Sequence, residues 1–269
     1  MTGSPAKVST QDTWVTTADG RLFVRQWRPD DAARTALAPI VLFHESLGAV
    51  SLWRDLPETL ARATGRVVLA YDRLGFGRSD PHPGRLALDF ITEEARGGFR
   101  ALREQLSIDA FVAYGHSTGG SMAAACAAAH PHGCRALVTE SAHAFVEART
   151  LDGVRRVGRE LVRPARFERL RRHHGDKVFW VLDAWVNTWL APAFATWSLA
   201  DELPKIVCPT LVVHGDADPF GSLAHPAYMA ARIQGAIDVV TLRDVGHVPH
   251  RERAAAFVEA VVGRLAASD

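Results

Sequence analysis

Six short apolar runs separated by segments of helical period constrain this chain more than anything else in it. The runs cover residues 40–43, 67–71, 110–114, 136–139, 211–214 and 239–242. The segments 52–63, 93–106, 119–129, 226–233 and 253–265 space their apolar residues near the 3.6-residue repeat of a helix. Strands that alternate with helices predict a parallel sheet covered on both faces, because each crossover must carry the chain back to the same edge. The opening differs: residues 14–17 and 22–27 read as two antiparallel strands joined at Asp19-Gly20, a pair suited to a tight hairpin, and a polar loop follows around Asp30 to Arg34.

At 269 residues, one large α/β domain is the simplest organisation. Hydrophobic residues make up 48% and charged residues 23%, a balance that supplies a packed core and argues against disorder. The net charge is +1, with Lys and Arg scattered among acids, so no basic field is evident and no nucleic-acid partner is expected. Cys126, Cys134 and Cys208 form no Cys-x-x-Cys pair and read as buried free thiols of a reducing compartment. The polar residues 1–12 resemble no signal peptide, and no stretch reaches the roughly 18 apolar residues of a membrane span. The expectation is a soluble cytoplasmic protein, monomer or homodimer, that acts on a small molecule without contacting a membrane.

Between residues 143 and 203 the alternation stops. This stretch carries Phe145, Phe167, Phe179, Trp180, Trp185, Trp189, Phe194 and Trp197. It is expected to be a helical cap inserted into a core domain made of residues 1–142 and 204–269. Most of these aromatics suit the cap's own small core and its seam with the sheet. A few, with Trp180 and Trp185 foremost, are expected to wall a substrate cavity.

The pentapeptide Gly115-His116-Ser117-Thr118-Gly119 follows the run 110–114 and opens the helical segment that begins at Gly119. Strand, sharp turn and helix in that order form a nucleophile elbow around Gly-x-Ser-x-Gly. Its glycines give room for a strained serine, since side chains at 115 or 119 would collide with the adjoining strand and helix. The helix behind Ser117 directs free N–H groups toward any oxyanion formed there. A serine hydroxyl at neutral pH needs a base, and a histidine with a pKa of about 6.5 is suited to that work.

Three further islands accompany the elbow. They are Val41-Leu42-Phe43-His44-Glu45-Ser46, then Tyr71-Asp72-Arg73-Leu74-Gly75-Phe76-Gly77-Arg78-Ser79, then Gly215-Asp216-Ala217-Asp218 with Gly246-His247. With these four islands in this order the chain resembles the α/β-hydrolase family from residue 14 to its last helix. The resemblance implies Ser117 as nucleophile, His247 as base and Asp218 as the acid that orients it. His250 is the fallback base, and Asp216 is the other carboxylate at the right place, its alternative role being a turn residue. His116 is expected to pack under the elbow, and His44 to brace its loop.

The oxyanion hole should take one amide from Thr118 and another after residues 40–43. Ser46 is the expected second donor, with Leu47 as the alternative. Glu45 departs from the glycine that many relatives carry there. It reads either as a buried tether for the loop or as a group that shapes the acidity of the substrate site. The Gly75-Phe76-Gly77 loop is read as structural, because no dinucleotide-type helix start follows it. His82, His130, His132, His173 and His174 lack the spacing of a metal cage, and no metal or other cofactor is expected. The function expected is hydrolysis of a carboxylic ester through an acyl-enzyme. A carbon–carbon bond hydrolase or thioesterase would use the same residues, and a hydrolase-like small-ligand receptor is the alternative outside enzymes.

Overall fold

The computed structural model describes residues 7–30 and 37–267, so most of the polar loop expected at 30–34 and the start of the polar segment 1–12 lie outside the described residues. The chain opens with strands β1 (Val8–Thr17) and β2 (Gly20–Pro29), paired antiparallel around the Asp19-Gly20 turn. Both are longer than the apolar pattern suggests. Polar residues of β1 such as Ser9 and Gln11 sit on an exposed edge, where strand pairing alone keeps them extended.

The six apolar runs then become β3 (Ile40–Phe43), β4 (Val68–Tyr71), β5 (Phe111–His116), β6 (Cys134–Glu140), β7 (Thr210–Gly215) and β8 (Ile237–Leu242). They form one eight-stranded sheet in the order β1-β2-β4-β3-β5-β6-β7-β8, parallel from β4 onward. The α/β-hydrolase fold expected from the sequence is therefore present.

Both faces of the sheet are buried along its central strands. Val41, Phe43 and Ala113 point into one apolar cluster, whereas Ile40, Leu42, Val112 and Tyr114 point into another, as the two-residue repeat of a strand requires. Helices α1 (Leu56–Thr64) and α10 (Ala254–Ala266) cover the second face. Helices α2 (Phe90–Glu93), α3 (Gly98–Gln105) and α4 (Thr118–Ala129) cover the first. The alanines of α4 let it lie close against β5 and β6, and every residue from Thr118 to Ala128 is buried.

Two helical segments are broken where continuity is suggested by period. The stretch 52–63 becomes a single 3-10 turn (Val50–Trp53) followed by α1, separated by Arg54 at φ 53°. Pro57 near the start of α1 has no N–H to continue an earlier helix. The stretch 93–106 is divided at Gly97-Gly98, a pair with little helical preference. Farther on, α8 (Ala224–Ala230) lies between β7 and β8, and the short α9 (Pro249–Glu252) precedes α10.

Between β6 and β7 the chain leaves the sheet and forms α5 (Ala148–Leu161), α6 (Pro164–His174) and α7 (Val178–Trp189). Trp185, Trp189 and Phe194 are buried there, while Phe179 is 70% exposed. The Cys134 and Cys208 thiols, far apart in sequence, meet at 3.6 Å. Among the described residues no helix is long and apolar enough to cross a membrane.

Candidate active site

At the carboxyl end of β5 the chain turns through Ser117, whose φ of 55° and ψ of −125° lie in the left-handed half of backbone space. Packing holds this strain in place. A Cβ on Gly115 would stand 2.0 Å from the Gly119 carbonyl oxygen, and one on Gly119 would stand 2.0 Å from that of Phe43. Only glycine at both positions lets α4 approach β3 and β5 this closely. The Ser117 amide donates to Glu140 O at 2.8 Å, which ties the turn to the end of β6.

Loops after β7 and β8 bring the other two residues of the expected triad to this point. His247 Nε2 lies 2.9 Å from Ser117 Oγ, and His247 Nδ1 lies 2.9 and 2.8 Å from the two carboxylate oxygens of Asp218. Asp218 is wholly buried. Its Oδ1 also accepts the Phe220 and Gly221 amides at 2.8 and 3.3 Å. Burial pushes this carboxyl up, but the adjacent His247, with the Phe220 amide, outweighs it and holds Asp218 well below the usual carboxylate range. An ionised Asp218 fixes the Nδ1–H tautomer of His247 and leaves Nε2 free to accept the serine proton.

The alternatives weighed in sequence go elsewhere. Exposed Asp216 accepts the Asp244 amide at 2.8 Å and so braces the turn after β8. His250 turns away to Glu140, with Nδ1 2.8 Å from Oε2. His116 Nε2 reaches the main-chain oxygen of His247 at 2.7 Å.

Next to Ser117, the β3 loop presents Ser46, whose Oγ is 2.7 Å from Thr118 Oγ1. Among the described residues the Ser46 amide donates to nothing, whereas the Leu47 amide is taken by Glu45 Oε2 at 2.6 Å. Thr118 heads α4, where amides have no partner further back in the helix. Glu45 thus tethers its own loop, and burial raises its carboxyl above the usual range. His44 accepts the Arg73 amide at Nε2, 3.1 Å away, which leaves Nδ1 to donate to Glu45 O at 2.8 Å.

The loop that carries Gly75 and Gly77 is structural. Asp72 accepts the Val50 and Arg78 amides at 2.6 and 2.8 Å, and a Cβ on Gly77, where φ is 47°, would collide with that carboxylate at 2.1 Å.

A cavity of about 170 Å³ opens above Ser117 and His247. Glu45, Ser46 and Thr118 line it, as does Trp185 from α7. Trp180 is a correction to the sequence reading, because it is not among the lining residues. Its ring stacks on His82 with centroids 4.8 Å apart, and its Nε1 donates to Gly84 O at 2.7 Å. One side of α7 therefore seals a surface loop while another faces the site.

Sequence reasoning named Trp189 only among the cap aromatics and missed His143, Thr150, Val154, Val157, Phe220 and Val248, which also line the cavity. His143 and Phe220 come just after the carboxyl ends of β6 and β7. In an open parallel sheet, such positions are the ones that face ligands, and this was the available signal.

The fold and this arrangement define a class, and the chain belongs to the α/β-hydrolase fold family, whose model matches residues 39–178. Among individual proteins it is similar to a proline iminopeptidase of Levilactobacillus brevis, 35% identical over 107 residues, 38% of this chain and 34% of that protein. It is also similar to a bifunctional esterase/perhydrolase of Acinetobacter calcoaceticus, 32% identical over 120 residues, 44% of this chain and 40% of the other. The chain thus matches well under half the length of each. The enol-lactonase of Burkholderia xenovorans shares the fold at a TM-score of 0.72 and 23% identity, over 94% of this chain and all of that one.

Proposed function

We propose that this chain is a hydrolase that cleaves a carboxylic ester through an acyl-enzyme on Ser117. One observation carries the reading: Ser117, His247 and buried Asp218 form a continuous series of hydrogen bonds beside a largely apolar cavity. Similarity to an esterase/perhydrolase over part of the chain supports the ester as substrate.

In the first step Ser117 Oγ attacks the carbonyl carbon while His247 Nε2 takes its proton. The carbonyl oxygen becomes an oxyanion held by the amides of Thr118 and Ser46. Asp218 stays ionised and stabilises the imidazolium. Collapse breaks the carbon–oxygen bond, and the alcohol leaves with the proton from His247. Water, deprotonated by the same imidazole, then attacks the acyl carbon, and the acid departs as Ser117 regains its proton. The helices α5 to α7 act as the cap that keeps bulk water from the acyl-enzyme, with Trp185 in contact with substrate.

The test is a panel of short-chain esters, thioesters, vinylogous diketones and prolyl anilides, with Ser117→Ala as the blank. Esters should turn over fastest, and the alanine variant should lose at least about 10⁴-fold in kcat. Ester hydrolysis by Ser117→Ala at the wild-type rate would refute the acyl-enzyme.

A further inference from the structure

We infer that His143 recognises the substrate, by hydrogen bonding to a hydroxyl or keto oxygen carried on a small ester. The inference rests on the acyl-enzyme reading and adds the chemical class of what is cleaved.

His143 follows the end of β6, is 3% exposed, and lines the same cavity as Ser117 and His247. Its ring lies 6.0 Å from that of His247, 5.0 Å from Trp189 and 5.3 Å from His225, centroid to centroid. Neither ring nitrogen has a hydrogen-bond partner among the described residues. Other buried histidines nearby are bonded. His225 accepts the Ala144 amide at Nδ1 and donates to Glu147 from Nε2, His116 reaches a main-chain oxygen, and His250 meets Glu140.

The main chain around His143 is well held. Ser121 Oγ donates to its carbonyl oxygen at 2.6 Å, and the next amide, that of Ala144, is bound to His225 at 3.1 Å. Backbone contacts and flanking rings therefore set the position of the imidazole beside the cavity, and its two nitrogens, almost wholly buried, are left without a partner among the described residues. Buried polar atoms of this kind nearly always have a partner. A site with such atoms discriminates strongly in favour of the ligand that satisfies them.

The chemistry of the ring selects the partner. Burial, with His225 and His247 adjacent, keeps His143 neutral, so it offers one N–H donor and one lone pair. A hydroxyl can use both and a keto oxygen can use the donor. A carboxylate is matched less well, because ionised Asp218 lies just behind His247. With about 170 Å³ and walls formed by Val154, Val157 and Trp185, the cavity accepts a short acyl group.

The experiment compares kcat/KM for methyl butanoate with its 2-hydroxy, 3-hydroxy and 3-oxo counterparts. In the wild type at least one oxygenated ester should exceed the parent by about tenfold or more. His143→Phe, similar in shape but without polar atoms, should bring that ratio to within about threefold of unity, and His143→Gln should restore part of it. His143→Leu serves in place of the phenylalanine variant if that one does not fold. Two results would overturn the inference: no oxygenated ester favoured by the wild type, or a ratio unchanged in the apolar variant while only its Tm falls. Ser117→Ala, assayed on all four esters, keeps the readings apart, since activity there would refute the acyl-enzyme and not the role of His143.

Discussion

His247 and His250 stand three positions apart, and each faces a buried carboxylate, yet they differ in every consequence. His247 connects Asp218 to Ser117, whereas His250 and Tyr114 hold Glu140 inside the second apolar cluster. At the first pair, Asp218→Asn should leave the fold intact and lower kcat by about 10³- to 10⁴-fold, since the amide favours the wrong imidazole tautomer. Steady-state kinetics beside an unchanged circular dichroism spectrum would check this. At the second pair the outcome is one of stability. Burial works against the charge of Glu140, but His250, His116 and Tyr114 hold its carboxyl at about 2. Removing the imidazole in His250→Ala should cost about 3–5 kcal/mol in urea unfolding, as an uncompensated buried charge does.

At the level of elements, packing distances decide what glycine patterns only suggest. A methyl at position 119 would drive α4 away from the Phe43 carbonyl. Gly119→Ala should therefore lose about 3 kcal/mol or more in a denaturant titration and also impair catalysis, because Ser117 moves with the start of the helix. The strands, the elbow and the ends that carry Asp218 and His247 were legible in sequence, since strand-turn-helix order and the chain order Ser, Asp, His are local and linear signals. Trp180 was not. Trp185, five residues later and so on another side of α7, does line the cavity, and which side of that helix faces the site depends on how it docks. His143 escaped notice because it sits where the alternation of elements ends, so no period marked it. The breaks at Arg54 and Gly97 were hidden because apolar spacing runs on through a backbone that departs from the helix.

Across the whole molecule, the sheet separates two apolar clusters, and the strand end of β5 and the helices α6 and α8 carry histidines that burial keeps uncharged. His116 is lowered from 6.5 to about 3, and His174 and His225 to about 4, mainly by desolvation. Below pH 6.5 the unfolded chain gains protons at these sites that the folded protein refuses, so their stabilisation is complete above 6.5 and lost as pH falls toward 4. Each should contribute a slope of about 1.4 kcal/mol per pH unit in that window. Ionised Glu140 extends the loss from its ordinary 4.5 down to about 2. Calorimetry should show Tm declining steadily between pH 7 and 4, and a flat profile there would contradict the assignment of neutral buried histidines.

The central claim is that Ser117 is made nucleophilic by His247. Mass spectrometry after treatment with a fluorophosphonate tests it most directly. The account predicts one adduct per chain, on the peptide that contains Ser117, formed rapidly in the wild type and abolished in His247→Ala. Wild-type protein that remains unlabelled, or labelling that persists unchanged without the imidazole, would contradict it.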